Sequence, residues 1–211
     1  MTPSFVVLVP VKSPRVGKSR LTALGPATRE ALALAFAEDT VAAASATPGV
    51  RRVVVATGDR HVASRMRARG CDVVPDPGGL NEALSDAARW AGPRWPDARP
   101  VALCGDLPAL TSTDLAAALG AVAGDDGAAV VVDHHGTGTT LYTAPYDLFA
   151  PRFGPGSAAR HMEAGARALA GELTTLRLDV DDPEDLGRAC TLGVGGRPGA
   201  ALASRCAGDQ N

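Results

Sequence analysis

Ser4-Phe5-Val6-Val7-Leu8-Val9-Pro10-Val11 decides the fold class. The run is apolar almost without interruption and rich in β-branched residues, the pattern of a strand covered on both faces rather than one alternating between core and water. It is too short for a core helix. Beyond it, residues 27–46 spread Leu32, Leu34, Phe36 and Val41 through alanine-rich sequence, with Thr28 and Glu30 near the start and Pro48-Gly49 just past the end, which predicts a helix. Short apolar runs at 53–56, 73–74, 101–104 and 128–132 repeat the strand signature, and helical patterns at 60–69, 81–90 and 114–122 lie between them. Strand and helix alternate, so the chain reads as an α/β fold around a mostly parallel central sheet flanked by helices. Further along, 140–143 predicts a strand, 158–170 a helix and 173–180 a strand. In Asp182-Pro183-Glu184-Asp185 an acidic cap precedes proline at the first helical position, so a last helix begins there. One domain over 1–194 is expected, with 195–211, which lacks an apolar stripe, as a disordered tail.

Composition narrows the function. With 211 residues, 45% of them apolar, the chain can bury one sizeable core. Lys and Arg number 21 against 23 Asp and Glu, a net charge of -2, so no positive field exists to neutralise a nucleic-acid backbone. No apolar run approaches the ~20 residues that cross a bilayer, and the N-terminus lacks signal-peptide character. A cytoplasmic protein without nucleic-acid or membrane partners is expected. Cys71, Cys104, Cys190 and Cys206 show no paired spacing and read as reduced thiols.

In an open parallel sheet, ligands bind beyond the carboxyl ends of the strands, so the polar residues directly after the apolar runs are the candidates. Lys12, Arg15, Lys18 and Arg20 place four cations within nine residues after the first strand, a density suited to polyphosphate. Gly17-Lys18-Ser19 is not a P-loop, because the required glycine five residues earlier is Lys12. The plain alternative is a solvated basic loop. In Cys104-Gly105-Asp106-Leu107-Pro108 an aspartate stands at the tip of a buried strand, suited to Mg²⁺ or simply to a turn. Asp179 and Asp181, two apart, share a face of an extended segment and could hold a divalent ion, whereas Asp182 is a helix cap. Gly136-Thr137-Gly138-Thr139-Thr140 and Arg152-Phe153-Gly154-Pro155-Gly156-Ser157 combine glycines with hydroxyls, suited to one phosphate or carboxylate each, or only to turns. Asn81, after Gly78-Gly79-Leu80, caps a helix or bonds a nucleoside. His134, His135 and His161 lack metal or triad spacing and read as ordinary loop and helix residues.

In this order, VPVK, GKSRL, LNEAL, GDLPAL, GTGTTL, RFGPGSAARH and LDVDDPEDL resemble the guanylyltransferases of deazaflavin coenzyme F(420) biosynthesis, a branch of the nucleotide-sugar-transferase-like nucleotidyltransferases, from about Val6 to Leu192. The resemblance implies a single-domain Rossmann-like nucleotidyltransferase. It implies transfer of GMP from GTP to phosphoenolpyruvate or 2-phospho-L-lactate, with release of pyrophosphate and a downstream biosynthetic transferase to take the product. Lys12, Lys18 and Asp106 would be catalytic, Lys12, Lys18 and Asn81 would hold the nucleotide, Thr139, Gly154 and Ser157 the three-carbon acid, and Asp106 and Asp179 Mg²⁺, with Asp181 able to share the metal. The alternatives are a related transferase acting on a molybdopterin or isoprenoid intermediate, and a non-catalytic GTP-binding protein.

Overall fold

A strand buried on both faces belongs inside a sheet, and the computed structural model, which describes residues 4–13 and 25–193, places the first apolar run there. β1 (Phe5–Pro10), α1 (Pro26–Ser45), β2 (Val50–Ala56), α2 (Arg60–Ala68), β3 (Asp72–Val74), α3 (Leu80–Ala91), β4 (Arg99–Leu103), α4 (Ser112–Ala121) and β5 (Ala129–Val132) alternate along the chain. β6 (Thr139–Thr143), α5 (Ser157–Glu163), β7 (Arg167–Ala168), α6 (Thr174–Arg177) and α7 (Pro183–Leu192) complete it. The seven strands stand in the order β3-β2-β1-β4-β6-β5-β7. Only β6 runs against its neighbours, β4 and β5; the other pairings are parallel. Strand order therefore reverses between β1 and β4, the kind of place at whose carboxyl edge open α/β sheets bind ligands.

Alternate side chains of β1 feed two cores. Phe5, Val7 and Val9 pack with Val41 of α1, Val62 and Met66 of α2, and Leu115 and Leu119 of α4. Val6 and Leu8 face the other layer, where α3 presents Ala83, Leu84, Ala87, Ala88 and Ala91. These alanines let the helix lie close against the sheet, which accounts for the scarcity of aromatics. Leu32 and Phe36 of α1 join Leu178, Val180 and Ala189 in a third cluster, which anchors the segment between α6 and α7.

The early elements fall where the periodicity places them, but the chain after β6 departs from expectation. The helix expected over 158–170 stops at Glu163, and Arg167–Ala168 pairs with β5 as an edge strand. Gly165, at φ 92°, reverses the chain between them. The strand expected over 173–180 is instead one helical turn, Thr174–Arg177, followed by extended residues. Its apolar side chains, Leu173, Leu176, Leu178 and Val180, are buried as a strand's would be, so periodicity alone did not separate the two. The final helix does begin at Asp182, whose carboxylate accepts from the Glu184 and Asp185 amides in a capping box. Cys71 and Cys104 are thiols, whereas Cys190 is disulfide-bonded, contrary to expectation, because spatial proximity rather than spacing along the chain sets pairing. The expected tail, 195–211, lies outside the described residues. No helix among the described residues is long and apolar enough to cross a membrane.

Two neighbouring carboxyls on α1 are held in opposite ways. Glu38 is clasped by Arg65 at 2.6 Å and Arg69 at 2.7 Å. Burial pushes its neighbour Asp39 up to about 7, with Arg69 offsetting part of that and Glu38 adding to it. The folded chain thus holds this proton more tightly than the unfolded chain. The ionised side chain weakens the fold increasingly as pH rises from the ordinary 3.8 to about 7, and fully above it. Asp39→Asn is expected to stabilise at pH 8 by on the order of 1–3 kcal/mol, raising Tm by a few degrees, and to do nothing at pH 3.5. Thermal melts of both chains at the two pH values check this.

Candidate active site

The carboxyl ends of β1 and β4 bring part of the candidate set together. Lys12, exposed, follows the end of β1, and Val11 is held to β2 by its amide bond to the Ala56 carbonyl at 2.9 Å. Beyond the end of β4, Gly105 passes so close to β1 that a Cβ there would stand 3.1 Å from the Pro10 carbonyl oxygen and 3.3 Å from Val9. Absence of a side chain at 105 thus lets the turn carrying Asp106 lie against the end of β1. Two further bonds hold this turn. The Leu107 amide donates to Thr40 Oγ1 at 3.1 Å, and that hydroxyl donates to the Phe36 carbonyl at 2.8 Å. The Asp106 carbonyl accepts the Val180 amide at 3.1 Å.

That last bond brings the distant acidic segment to this edge of the sheet. Leu178 and Val180 are buried while Asp179 and Asp181 are half-buried, so the alternation of an extended segment puts both aspartates on one side. Burial first, then repulsion from Asp106, Asp181 and Asp133, pushes Asp179 up to about 7. Asp179 Oδ1 is buried without a hydrogen-bond partner. A buried carboxylate oxygen among further carboxylates is an arrangement that a hard cation would stabilise, so the residues fit a Mg²⁺ site at Asp106 and Asp179. Lys12, Asp106 and Asp179 therefore share one rim of the sheet. Lys18 and the remainder of the basic loop lie outside the described residues.

His134 and His135, which spacing left without a role, stand beside this cluster. Asp185, almost fully buried, accepts from His134 Nε2 at 2.8 Å and, through its other oxygen, from the Asp181 and Asp182 amides at 3.0 and 3.2 Å. His134 Nδ1 lies 3.6 Å from Asp179 Oδ1, and His135 Nε2 lies 3.6 Å from Asp185 Oδ1. His134, His135 and Asp185 thus group their polar atoms closely. The 2.8 Å contact is a hydrogen bond that ties the β5 loop to the start of α7. In sequence Asp185 is an acidic residue near a helix start, and no local spacing signals its contact with His134, 51 positions away.

The hydroxyl-bearing loops meet on the far side of β4, at the start of β6. Asp133 accepts the Thr137 and Gly138 amides at 2.9 and 2.8 Å, and the Ser157 amide bonds the Gly154 carbonyl at 3.0 Å. These amides, expected to greet an anion, hold the loops instead. The Thr137 carbonyl accepts the Ala158 amide at 3.1 Å, which brings the two loops together, and Gly154 takes a φ of 119°, closed to other residues without strain. Thr139 and Ser157 are both buried. Asn81 is not the cap of α3, a place taken by Gly79. Its amide clasps the Phe153 backbone in both directions, accepting from N–H at 2.8 Å and donating to the carbonyl at 3.2 Å. The helix after the Gly78-Gly79 turn is thereby fastened to the 152–157 loop. His161, expected to be an ordinary helix residue, is buried between Thr139 and the Arg152 amide.

Comparisons with known proteins place the chain in a family. The MobA-like NTP transferase domain matches residues 21–177. The chain is 47% identical to the phosphoenolpyruvate guanylyltransferase of Thermomonospora curvata over 206 residues, 96% of this chain and 90% of that one. It is 46% identical to the phosphoenolpyruvate guanylyltransferase of Salinispora arenicola over 93% of this chain and 92% of that one. A Desulfovibrio desulfuricans structure assigned as a nucleotide-diphospho-sugar transferase superposes with a TM-score of 0.73 at 19% identity, covering 97% of this chain and 96% of that one, a likeness of fold. With a Rossmann-like sheet, a carboxylate-lined switch point and relatives matched over nearly their whole length, this chain belongs to the phosphoenolpyruvate guanylyltransferase family, nucleotidyltransferases built on the MobA-like NTP transferase domain.

Proposed function

We propose that this protein transfers GMP from GTP to phosphoenolpyruvate or 2-phospho-L-lactate, forming a guanosine diphosphate-linked three-carbon acid and releasing pyrophosphate. The observation that carries the reading is the convergence of Lys12, Asp106 and Asp179 at the strand-order reversal, beside the loops that carry Thr139, Gly154 and Ser157. A phosphate oxygen of the acid attacks the α-phosphorus, the bond from that phosphorus to the bridging oxygen breaks, and the electron pair leaves with pyrophosphate. The attacking phosphate is already an anion at neutral pH, so the reaction needs no general base. Its obstacle is repulsion between two anions, overcome by positioning and charge neutralisation. Lys12, with Lys18 from the basic loop, sets positive charge against the triphosphate. Asn81 fixes the loop on which the acid sits relative to the nucleotide side. The hydroxyls of Thr139 and Ser157 hold the acid. Asp106 and Asp179, with Asp181 at hand, would hold Mg²⁺, which when bound offsets phosphate charge. The diphosphate product is an activated donor, so the enzyme consuming it is a transferase. A cytoplasmic setting suits these soluble substrates.

The test is mass spectrometry of the products from GTP, Mg²⁺ and an equal mixture of the two acids, beside pyrophosphate release over a panel of nucleotides and phosphorylated acceptors. A guanosine diphosphate-linked acid is expected. Turnover confined to CTP with a sugar or polyol phosphate would overturn the assignment, and GTP binding without acceptor-dependent turnover would indicate a regulator instead.

A further inference from the structure

His161 is 1% exposed, and its two ring nitrogens meet groups whose roles are fixed by chemistry. Nε2 lies 2.8 Å from the Arg152 backbone nitrogen. A backbone N–H can only donate, so Nε2 must offer a lone pair. The ring is neutral, because burial pushes it down to about 4, with Arg160 and Arg152 adding to the shift against one bond to the Ser157 backbone. A neutral ring with a lone pair at Nε2 carries its hydrogen on Nδ1. Nδ1 lies 3.1 Å from Thr139 Oγ1, so the threonine oxygen accepts there, sharing the ring hydrogen with the Ser157 backbone. A hydroxyl that accepts from one neighbour keeps its single hydrogen for another.

We propose that His161 is a positioning residue for the acceptor: by donating Nδ1–H to Thr139 it keeps the Thr139 hydroxyl hydrogen available to the anionic acid. This rests on the reading of Thr139 as an acid-binding residue. The opposite tautomer would set two N–H groups against each other at Arg152 and draw the Thr139 hydrogen into the ring. Only lone pairs would then face a negatively charged substrate. The Arg152 backbone amide, nine residues before His161, thus decides whether Thr139 attracts or repels the acid. Tyr142 stacks on the ring at 4.7 Å and Phe153 meets it edge-on at 5.4 Å, which keeps it from turning.

His161→Gln can still offer an amide oxygen to Arg152 but loses the donor to Thr139. It is expected to raise the KM for the acid about tenfold, the scale of one hydrogen bond to a charged group, with the KM for GTP little changed. Thr139→Val is expected to raise the same KM. The double variant is expected to be no worse than Thr139→Val alone, because His161 acts through that hydroxyl. ¹⁵N NMR of histidine-labelled protein, with His161 identified by its absence in the variant, reads the Nδ1-protonated tautomer directly. An Nε2-protonated ring, an unchanged KM for the acid, or additive effects in the double variant would overturn the proposal. Should His161→Gln unfold, the tautomer read by NMR on the wild-type chain, with the other three histidines assigned by their own variants, carries the test together with the raised KM of Thr139→Val. A wild-type chain without acid-dependent pyrophosphate release would overturn the functional reading and this inference together, whereas the failures named above, in an active enzyme, overturn this inference alone.

Discussion

Asp106→Asn and Asp179→Asn are each expected to lower Mg²⁺-dependent turnover by on the order of a hundred- to a thousandfold, while the fold survives. The side chains are isosteric with the originals, and neither change disturbs the backbone bond from Val180 N–H to the Asp106 carbonyl that holds the two segments together. What changes is charge. An amide oxygen is a poor magnesium ligand beside a carboxylate, so metal binding and phosphate neutralisation fail together. Stability should move the other way at Asp179. Its carboxyl is pushed up to about 7, so its ionised form weakens the fold progressively from pH 3.8 to about 7 and fully at pH 8. In metal-free buffer at pH 8 the Asp179→Asn chain should therefore melt at or above the wild-type temperature. Added Mg²⁺ should raise the wild-type Tm and leave that of the variant where it was. Steady-state rates and melts with and without the metal measure both. Near-normal rates in both variants would remove the metal assignment.

Asp106 was legible as a candidate because it stands at the tip of a buried apolar run, and Asp179 because it stands two positions from Asp181 on one face of an extended segment. Convergence at one sheet edge follows from the strand order, since the reversal between β1 and β4 needs no knowledge of side chains. The chain after β6 was less legible. Burial of Leu173, Leu176, Leu178 and Val180 satisfies a strand and a short turn equally well, and the edge strand Arg167–Ala168 is too short to leave a pattern. Histidines were the least legible of all. His134 and His161 act through partners 51 and 22 positions away, and no local spacing signals a contact made by tertiary folding. The same holds for Asn81: as a residue near a helix start it reads as a cap, yet its partner is Phe153. Physical priors for polar residues rest on neighbours in sequence, and this site is built from neighbours in space.

Asp185 is the residue on which that difference weighs most. As one of the acidic residues in the first turn of α7 it would be expected to add a few tenths of a kcal/mol. Instead it is 1% exposed, and its two oxygens receive the Asp181 amide, the Asp182 amide and His134 Nε2. Truncation to alanine leaves two backbone donors and one imidazole nitrogen without an acceptor in a dry site. Asp185→Ala is accordingly expected to destabilise the chain by about 2–4 kcal/mol, lowering Tm by roughly 5–15 °C. Activity should fall as well, by about a hundredfold, because the amide of Asp181 fixes the course of the segment that carries Asp179, and His134 stands 3.6 Å from the Asp179 carboxylate. The neutral isostere separates shape from charge. In Asp185→Asn the side-chain oxygen can still accept the two amides while the NH₂ group faces His134, whose Nε2 then serves as acceptor. This variant should lose no more than about half the stability lost by alanine, and should keep most of the activity if the role of Asp185 is to hold the segment in place. If instead alanine at 185 melts like the wild type, the contacts that tie α7 to the β5 loop contribute nothing, and the acidic segment must be held beside Asp106 by the Val180 bond and its apolar neighbours alone.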